Sequence, residues 1–399
     1  MKLDSVKTLL RPDMRLNIAI LFLVEFVRGA ALISFFSIYG SGRLNLSLDV
    51  IGAAITASFL TDTVVKLAIG YLLDRFSVRT VVSAGLLCSL VGMALVGYAS
   101  VPWLFISAAA LYGIGLSPIW IVCLTHVREK GRGEQMGLLY TIWLVGLGAG
   151  PVVTNFVLDA SPNAAYYMLA AITLASWLLS LGLPASRDMR LDRVPFGRQI
   201  AILGARLREM NVLLPGMVLQ TLGAGMLLPI LPAFASKQMG LSSSHYSLLL
   251  TLGGASTVLG LIPMGRLADK FGKKWFLVCG FLMFGIVLYM LTMQTSFVLA
   301  LVWALVLGIS YAAVLPAWNA LLAAYVPSEQ QGLGWGVFST VEGLGGIIGP
   351  YVGGVLAISL NESWVIGLAG ALFVAISLFY AFFPFHLFRG EQSADSASS

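Results

Sequence analysis

The 399 residues are 58% hydrophobic and only 11% charged, with a mean hydropathy of +0.91. So few polar groups cannot coat a soluble globule of this size, which excludes a soluble enzyme or binding domain and leaves lipid as the solvent for most of the surface. The net charge of +6 reflects where Lys and Arg sit along the chain, and it is no sign of nucleic-acid binding.

Continuous apolar runs rich in Leu, Ala, Gly and Val predict membrane helices of about 20 residues rather than the alternating ten-residue strands of a barrel. Twelve spans are expected, at 17–39, 49–73, 80–99, 103–127, 135–158, 164–184, 212–235, 246–268, 275–294, 297–325, 332–357 and 363–385. Residues 1–15 carry Lys2, Lys7, Arg11 and Arg15 and are read as a retained cytoplasmic flank. Lys and Arg resist translocation, and 20 of the 24 fall on one set of alternating loops. Both termini are therefore expected in the cytoplasm, with the chain in the inner, cytoplasmic membrane.

Span 1 contains Glu25 and Arg28, and span 2 contains Asp62 and Lys66. Asp62 lies twelve residues, or about 18 Å, along the helix from Asp74, near the midplane of a ~30 Å core. Charges at that depth cost several kcal/mol unless paired or hydrated, so such groups usually face a cavity or a proton path. The spacings i,i+3 and i,i+4 also allow each pair to neutralise itself on one helix face. The functional reading makes Glu25, Asp62, Lys66 and, in span 11, Glu342 the proton-coupling groups. Trp120 of span 4 and Trp143 of span 5 lie away from the interfacial belts, where a sugar ring stacks well on indole. With Glu25 and Arg28 they form the candidate substrate-binding set; Trp318 and Asn319 of span 10 are further candidates, and Asn319 joins the set.

After span 2 come Gly70, Asp74, Arg75, Phe76 and Arg79, and after span 8 come Gly265, Asp269, Lys270, Phe271 and Lys274. Both runs fit G-x-x-x-D-[RK]-F-x-x-[RK]. Gly146, Gly148, Gly150 and Pro151 of span 5 are matched by Gly345, Gly346, Gly349 and Pro350 of span 11. The two pairs of motifs are 195 and 199 positions apart, the mark of a duplicated six-helix unit with one membrane orientation. The only long polar interruption, 185–210, divides the chain into an N-terminal bundle at 1–184, a cytoplasmic linker, and a C-terminal bundle at 211–399. An all-α membrane protein of twelve helices in two pseudo-symmetric six-helix bundles follows. Gly70, Asp74, Arg75, Arg79, Asp269 and Lys270 are the candidate conformational gate, a turn whose carboxylate meets helix ends and guanidinium. The glycines and prolines of spans 5 and 11 read as close packing plus a flex point.

Cys88, Cys123 and Cys279 lie singly in spans, and His126, His245 and His386 sit near span ends without clustered carboxylates. No metal site, catalytic residue or cofactor is indicated, and no enzyme is expected.

The loop motif and the Gly-Pro motif together resemble the major facilitator superfamily of transporters over essentially the whole chain. One departure is that residues 111–123 of span 4 hold no arginine, where many antiporters of the superfamily carry one. The run Glu25, Phe26, Val27, Arg28, Gly29, with Asp62 and the tryptophans at 120 and 143, is similar to the headgroup pocket of the proton-coupled glycolipid flippases of lipoteichoic-acid synthesis. That resemblance implies proton-coupled movement of a disaccharide-diacylglycerol between leaflets by a chain that is monomeric and has membrane lipids, protons and an amphipathic substrate as its partners. A multidrug or small-metabolite proton antiporter is the alternative. A membrane-embedded enzyme or receptor is the third reading, against which stands the lack of a phosphate loop, a nucleophile-base pair or a sensor domain. Spans 7 to 10 contain no Asp, Glu, Lys or Arg in their interiors, so the second half is expected to offer an apolar wall.

Overall fold

The computed structural model describes residues 12–125, 132–185, 213–294, 296–324 and 331–382. Nearly all of the linker expected at 185–210, with His126 and His386, lies outside them. Among the described residues the secondary structure is helical, and eleven helices are long and apolar enough to cross a membrane. The remaining long helix, Pro162–Ser180, corresponds to span 6 and is less apolar because Asn163, Tyr166 and Tyr167 occupy its first turns.

The helices overrun several of the expected limits, as in Leu48–Arg75, Ser243–Phe271 and Gln331–Ser359. Hydropathy locates the lipid core, whereas backbone hydrogen bonding continues until a cap or turn residue stops it. Local chemistry sets those stops. Ser77 accepts the amide of Thr80 to begin Val78–Val96, and Ser161 accepts that of Ala164 just ahead of Pro162. Gly272 takes φ +98° between spans 8 and 9, a conformation open to glycine at little cost.

Two of the described spans are not one continuous α-helix. Span 1 runs as Pro12–Ala30, a π-helical turn at Ala31–Phe35, and Phe36–Gly42. Span 4 is broken into Pro102–Ile114 and Pro118–Thr125. Pro118 has no amide to give the preceding turn, and it restricts Ser117, so the helix stops at Gly115 and restarts. The break frees the Ser117 side chain from helical packing, which matters for the site below.

Close grouping of the chain separates two units. The first comprises Met1–Gln199, Gly225–Ser247 and Gly346–Glu362; the second comprises Ile200–Ala224, Leu248–Gly345 and Ser363–Ser399. In the first unit, spans 1 and 5 pack along their length through glycine. A Cβ added at Gly150 would collide with the carbonyl oxygen of Phe26, and one at Gly29 with that of Leu147. Gly146 and Gly150 of span 5 therefore pack closely on span 1, and Gly29 does so from the facing helix, whereas an added Cβ at Gly148 would meet nothing within 4 Å. Leu227 and Ile230 of span 7 are buried in this unit. Ser37 Oγ donates to the Pro229 carbonyl at 2.8 Å and Thr56 Oγ1 to the Ile347 carbonyl at 2.6 Å. Asp159 accepts the amides of Ser243 and Ser244 at 2.7 Å each, at the start of Ser243–Phe271. In the second unit an aromatic core joins Phe281, Phe284, Trp318, Phe373 and Tyr380, with centroid separations of 4.7 to 6.2 Å.

Candidate transport site

Four charges of spans 1 and 2 form one ladder in the first unit. Arg28 Nη1 lies 3.6 Å from Glu25 Oε1, Arg28 Nη2 lies 3.4 Å from Asp62 Oδ2, and Lys66 Nζ donates to the same Oδ2 at 2.7 Å. The i,i+3 and i,i+4 pairs anticipated from spacing are both present. Spacing alone could not reveal the cross-helix contact between Arg28 and Asp62, which joins two self-neutralising pairs into a single network.

The two carboxylates are held differently. Asp62 has both oxygens occupied, Oδ2 by the two cations and Oδ1 by the hydroxyl of Ser117 at the break in span 4. Glu25 is fully enclosed, and neither of its oxygens has a hydrogen bond; its ionic contact with Arg28 is the longest in the ladder. Tyr112 is buried close enough to Glu25, Arg28 and Asp62 to feel their charges, and its hydroxyl has no hydrogen-bond partner. It lines a small pocket with Val24, Val27, Ser89, Thr173 and Ser176. The exposed end of the ladder belongs to the cations, Lys66 with 42% of its side chain exposed and Arg28 with 15%.

Trp120 and Trp143 do come together, with ring centroids 6.2 Å apart. Tyr140, one turn before Trp143, completes a triangle at 5.2 Å from Trp120 and 6.4 Å from Trp143. This triangle adjoins the ladder on two sides. Trp120 is three residues beyond Ser117, and Trp143 is three residues before Gly146, whose added Cβ would stand 3.1 Å from that of Glu25. Each indole thus stands three residues along the chain from a residue that touches the ladder. Ser117 and Tyr140 were not singled out from sequence. Their i,i+3 relation to Trp120 and Trp143 was the available signal.

The other expected residues fall elsewhere. Glu342 accepts hydrogen bonds from Gln220 Nε2 at 3.2 Å and Trp318 Nε1 at 3.0 Å, all three in the second unit. Asn319 next to Trp318 is exposed. Of the gate candidates, the side chains of Gly70 and Asp74 lie outside those described. Arg75 is exposed, and Arg79 Nε donates to the Leu183 carbonyl at 2.6 Å, tying the first turn of span 3 to the end of span 6. Asp269 meets Lys273 at 4.0 Å within its own loop region, and Lys270 stands 5.4 Å over the ring of Phe271. Among the described residues no group of His, Cys, Asp and Glu is arranged to hold a metal ion.

A ladder of buried charges joined to an aromatic wall in a helical membrane protein has relatives. The family model described as Major Facilitator Superfamily matches residues 18–206 and 213–397. A protein of Staphylococcus saprophyticus named proton-coupled antiporter flippase LtaA is 31% identical over 364 residues, covering 90% of this chain and 91% of that protein. The protein of the same name from Staphylococcus haemolyticus is 30% identical over 391 residues, 96% of each chain. Among solved structures, the nucleoside transporter NupG aligns with a TM-score of 0.76 at 15% identity, over 92% of this chain and 98% of its own. A D-xylose-proton symporter aligns with a TM-score of 0.69 at 16% identity, over 97% and 99%. At such identities the two structures speak for the fold alone. With two matched segments that span nearly the whole chain and a helical fold shared with known carriers, the protein belongs to the Major Facilitator Superfamily.

Proposed function

We propose that the chain is a proton-coupled carrier that moves an amphipathic glycolipid across the membrane by alternating access. The observation that carries this reading is the unequal hold on the two carboxylates of the ladder. Protonating Asp62 means giving up contacts with Arg28, Lys66 and Ser117, whereas protonating Glu25 gives up one ionic contact of 3.6 Å. Glu25 is then the exchangeable proton site and Asp62 the fixed anion. When Glu25 is neutral, Arg28 is left to Asp62 alone or to a ligand oxygen, so proton and substrate compete through one guanidinium. Arg28 and Lys66 are the ladder groups that a headgroup can reach, and the triangle of Trp120, Tyr140 and Trp143 offers ring faces for a sugar. The names of the staphylococcal relatives support coupling to protons and a lipid-like cargo.

The two sequence halves, 1–184 and 211–399 with the linker at 185–210, are taken as the bodies that rock. The loop motifs at Gly70, Asp74, Arg75 and Arg79 and at Asp269 and Lys270 are taken as their cytoplasmic gate. Both termini are placed in the cytoplasm from the distribution of Lys and Arg, and each chain works as a monomer.

The test is reconstitution into proteoliposomes with a labelled dihexosyl-diacylglycerol and an imposed pH gradient, beside parallel vesicles given a lipophilic cationic dye. Gradient-driven translocation of the glycolipid is the expected result. Movement of the dye without movement of the glycolipid overturns the reading in favour of a drug antiporter.

A further inference from the structure

Glu342 is the one carboxylate in the interior of the described spans of the second half, and its surroundings differ in kind from the ladder. Both of its described donors are neutral, and both address the same oxygen: Gln220 Nε2 and Trp318 Nε1 donate to Oε1. Trp318 is itself locked in place, 2% exposed between the rings of Phe281 and Tyr380. No Lys, Arg or His among the described residues pairs with the carboxylate. Oε2 has no hydrogen-bond partner among the described residues. It is also absent from the unsatisfied atoms sealed in the interior, unlike both oxygens of Glu25. A carboxylate whose one oxygen is clamped by two N–H groups is fixed in rotamer and presents the other oxygen with its acceptor capacity unused.

Whatever meets Oε2 must bring a donor. A sugar hydroxyl satisfies that condition, since its O–H can donate to a free carboxyl oxygen. Resting on the reading of the chain as a glycolipid carrier, we propose that Glu342, positioned by Gln220 and Trp318, is a hydroxyl-recognising subsite of the second half that accepts a hydrogen bond from the sugar head of the transported lipid. The second half then contributes chemical recognition as well as apolar surface.

The experiment measures binding of dihexosyl-diacylglycerol and of sugar-free diacylglycerol to purified protein in nanodiscs, for the wild type and for Glu342→Ala, Glu342→Gln and Gln220→Ala. Each variant is first checked for a single monodisperse peak and an unchanged helical spectrum. Glu342→Ala is expected to weaken glycolipid binding about tenfold while leaving diacylglycerol binding unchanged. Glu342→Gln keeps a polar group that a hydroxyl can meet, and it should recover most of the loss. Gln220→Ala loosens the clamp and should raise KM for glycolipid transport at unchanged kcat. The pH profile of transport should not move in any of the three. Equal loss of both lipids in Glu342→Ala, or glycolipid binding at the wild-type level, overturns the subsite. A shifted pH profile with unaltered binding makes Glu342 a proton site and also overturns it. If the wild type itself does not distinguish the two lipids, the glycolipid reading falls and the subsite with it; a wild type that does, with variants that match it, sinks the subsite alone.

Discussion

Two buried carboxylate clusters are built on opposite principles. In the first unit, Glu25 and Asp62 are matched by Arg28 and Lys66, and the network is neutral by ion pairing. In the second, Glu342 is met by an amide and an indole, and its charge is spread over neutral donors. An ion-paired carboxylate can lose a partner and take up a proton in exchange, because the cation remains to be used elsewhere. A carboxylate held by neutral donors has no such partner to release. On the proposed reading, coupling chemistry belongs to the first cluster and hydrogen-bond recognition to the second.

The largest effect that would break this comparison is expected at Asp62. Asp62→Ala leaves Arg28 and Lys66 with one carboxylate between them and removes the acceptor for Ser117. Loss of one partner from a buried ion network costs about 3–5 kcal/mol, so thermal unfolding in detergent should move down sharply and transport should vanish. An unaltered unfolding temperature would show that the ladder is not the structural centre of spans 1 and 2. Ser117→Ala removes a single hydrogen bond to a charged oxygen, an expected loss of about 1.5–3 kcal/mol that the same unfolding measurement detects. Trp318→Phe keeps the aromatic packing and deletes one of the two donors to Glu342, for an expected cost of about 1–3 kcal/mol. If its cost equals that of Asp62→Ala, the two clusters are not built differently.

The sharpest effect on function is expected at Glu25. Glu25→Gln gives up the 3.6 Å ionic contact with Arg28, which keeps its contact with Asp62, so it should lower the unfolding temperature by less than Asp62→Ala does. Transport driven by a pH gradient should nevertheless disappear, while exchange of substrate down its own gradient persists and becomes independent of pH. Proton-driven transport surviving in Glu25→Gln would move the coupling role to Asp62.

Much of this was legible along the chain because membrane helices obey a one-dimensional rule. A run of apolar residues long enough to span lipid must become a helix, for no other open structure satisfies its backbone there. The duplicated loop and Gly-Pro motifs gave the repeat for the same reason, since each marks the same place in two copies of one unit. Span 6 shows the limit of hydropathy. Its tyrosines make it less apolar, yet Tyr166 still donates to the Ala94 carbonyl at 2.9 Å and packs on Tyr39. The candidate site was legible as a set of residues out of place in lipid: Glu25, Arg28, Asp62, Lys66, Trp120 and Trp143. Their order in the network was not, because the order depends on which helix faces meet.

The sequence by itself determined a helical membrane protein, a duplicated architecture and the list of charges that have to be neutralised, since each follows from the cost of polar groups in hydrocarbon. Only the tertiary structure decided that Arg28 bridges Glu25 and Asp62, that the break before Pro118 delivers Ser117 to Asp62, and that Gln220 and Trp318 converge on Glu342. Those contacts join residues 34 to 122 positions apart, except for the bond between Trp318 and Glu342 at 24 and the local pair of Arg28 with Glu25. At such separations spacing along one helix says nothing. Glycines take part in the approach of these helices: Gly113 of span 4 lies against the Ser58 carbonyl of span 2, and Gly345 of span 11 against the Val218 carbonyl of span 7, where a missing side chain lets two backbones touch.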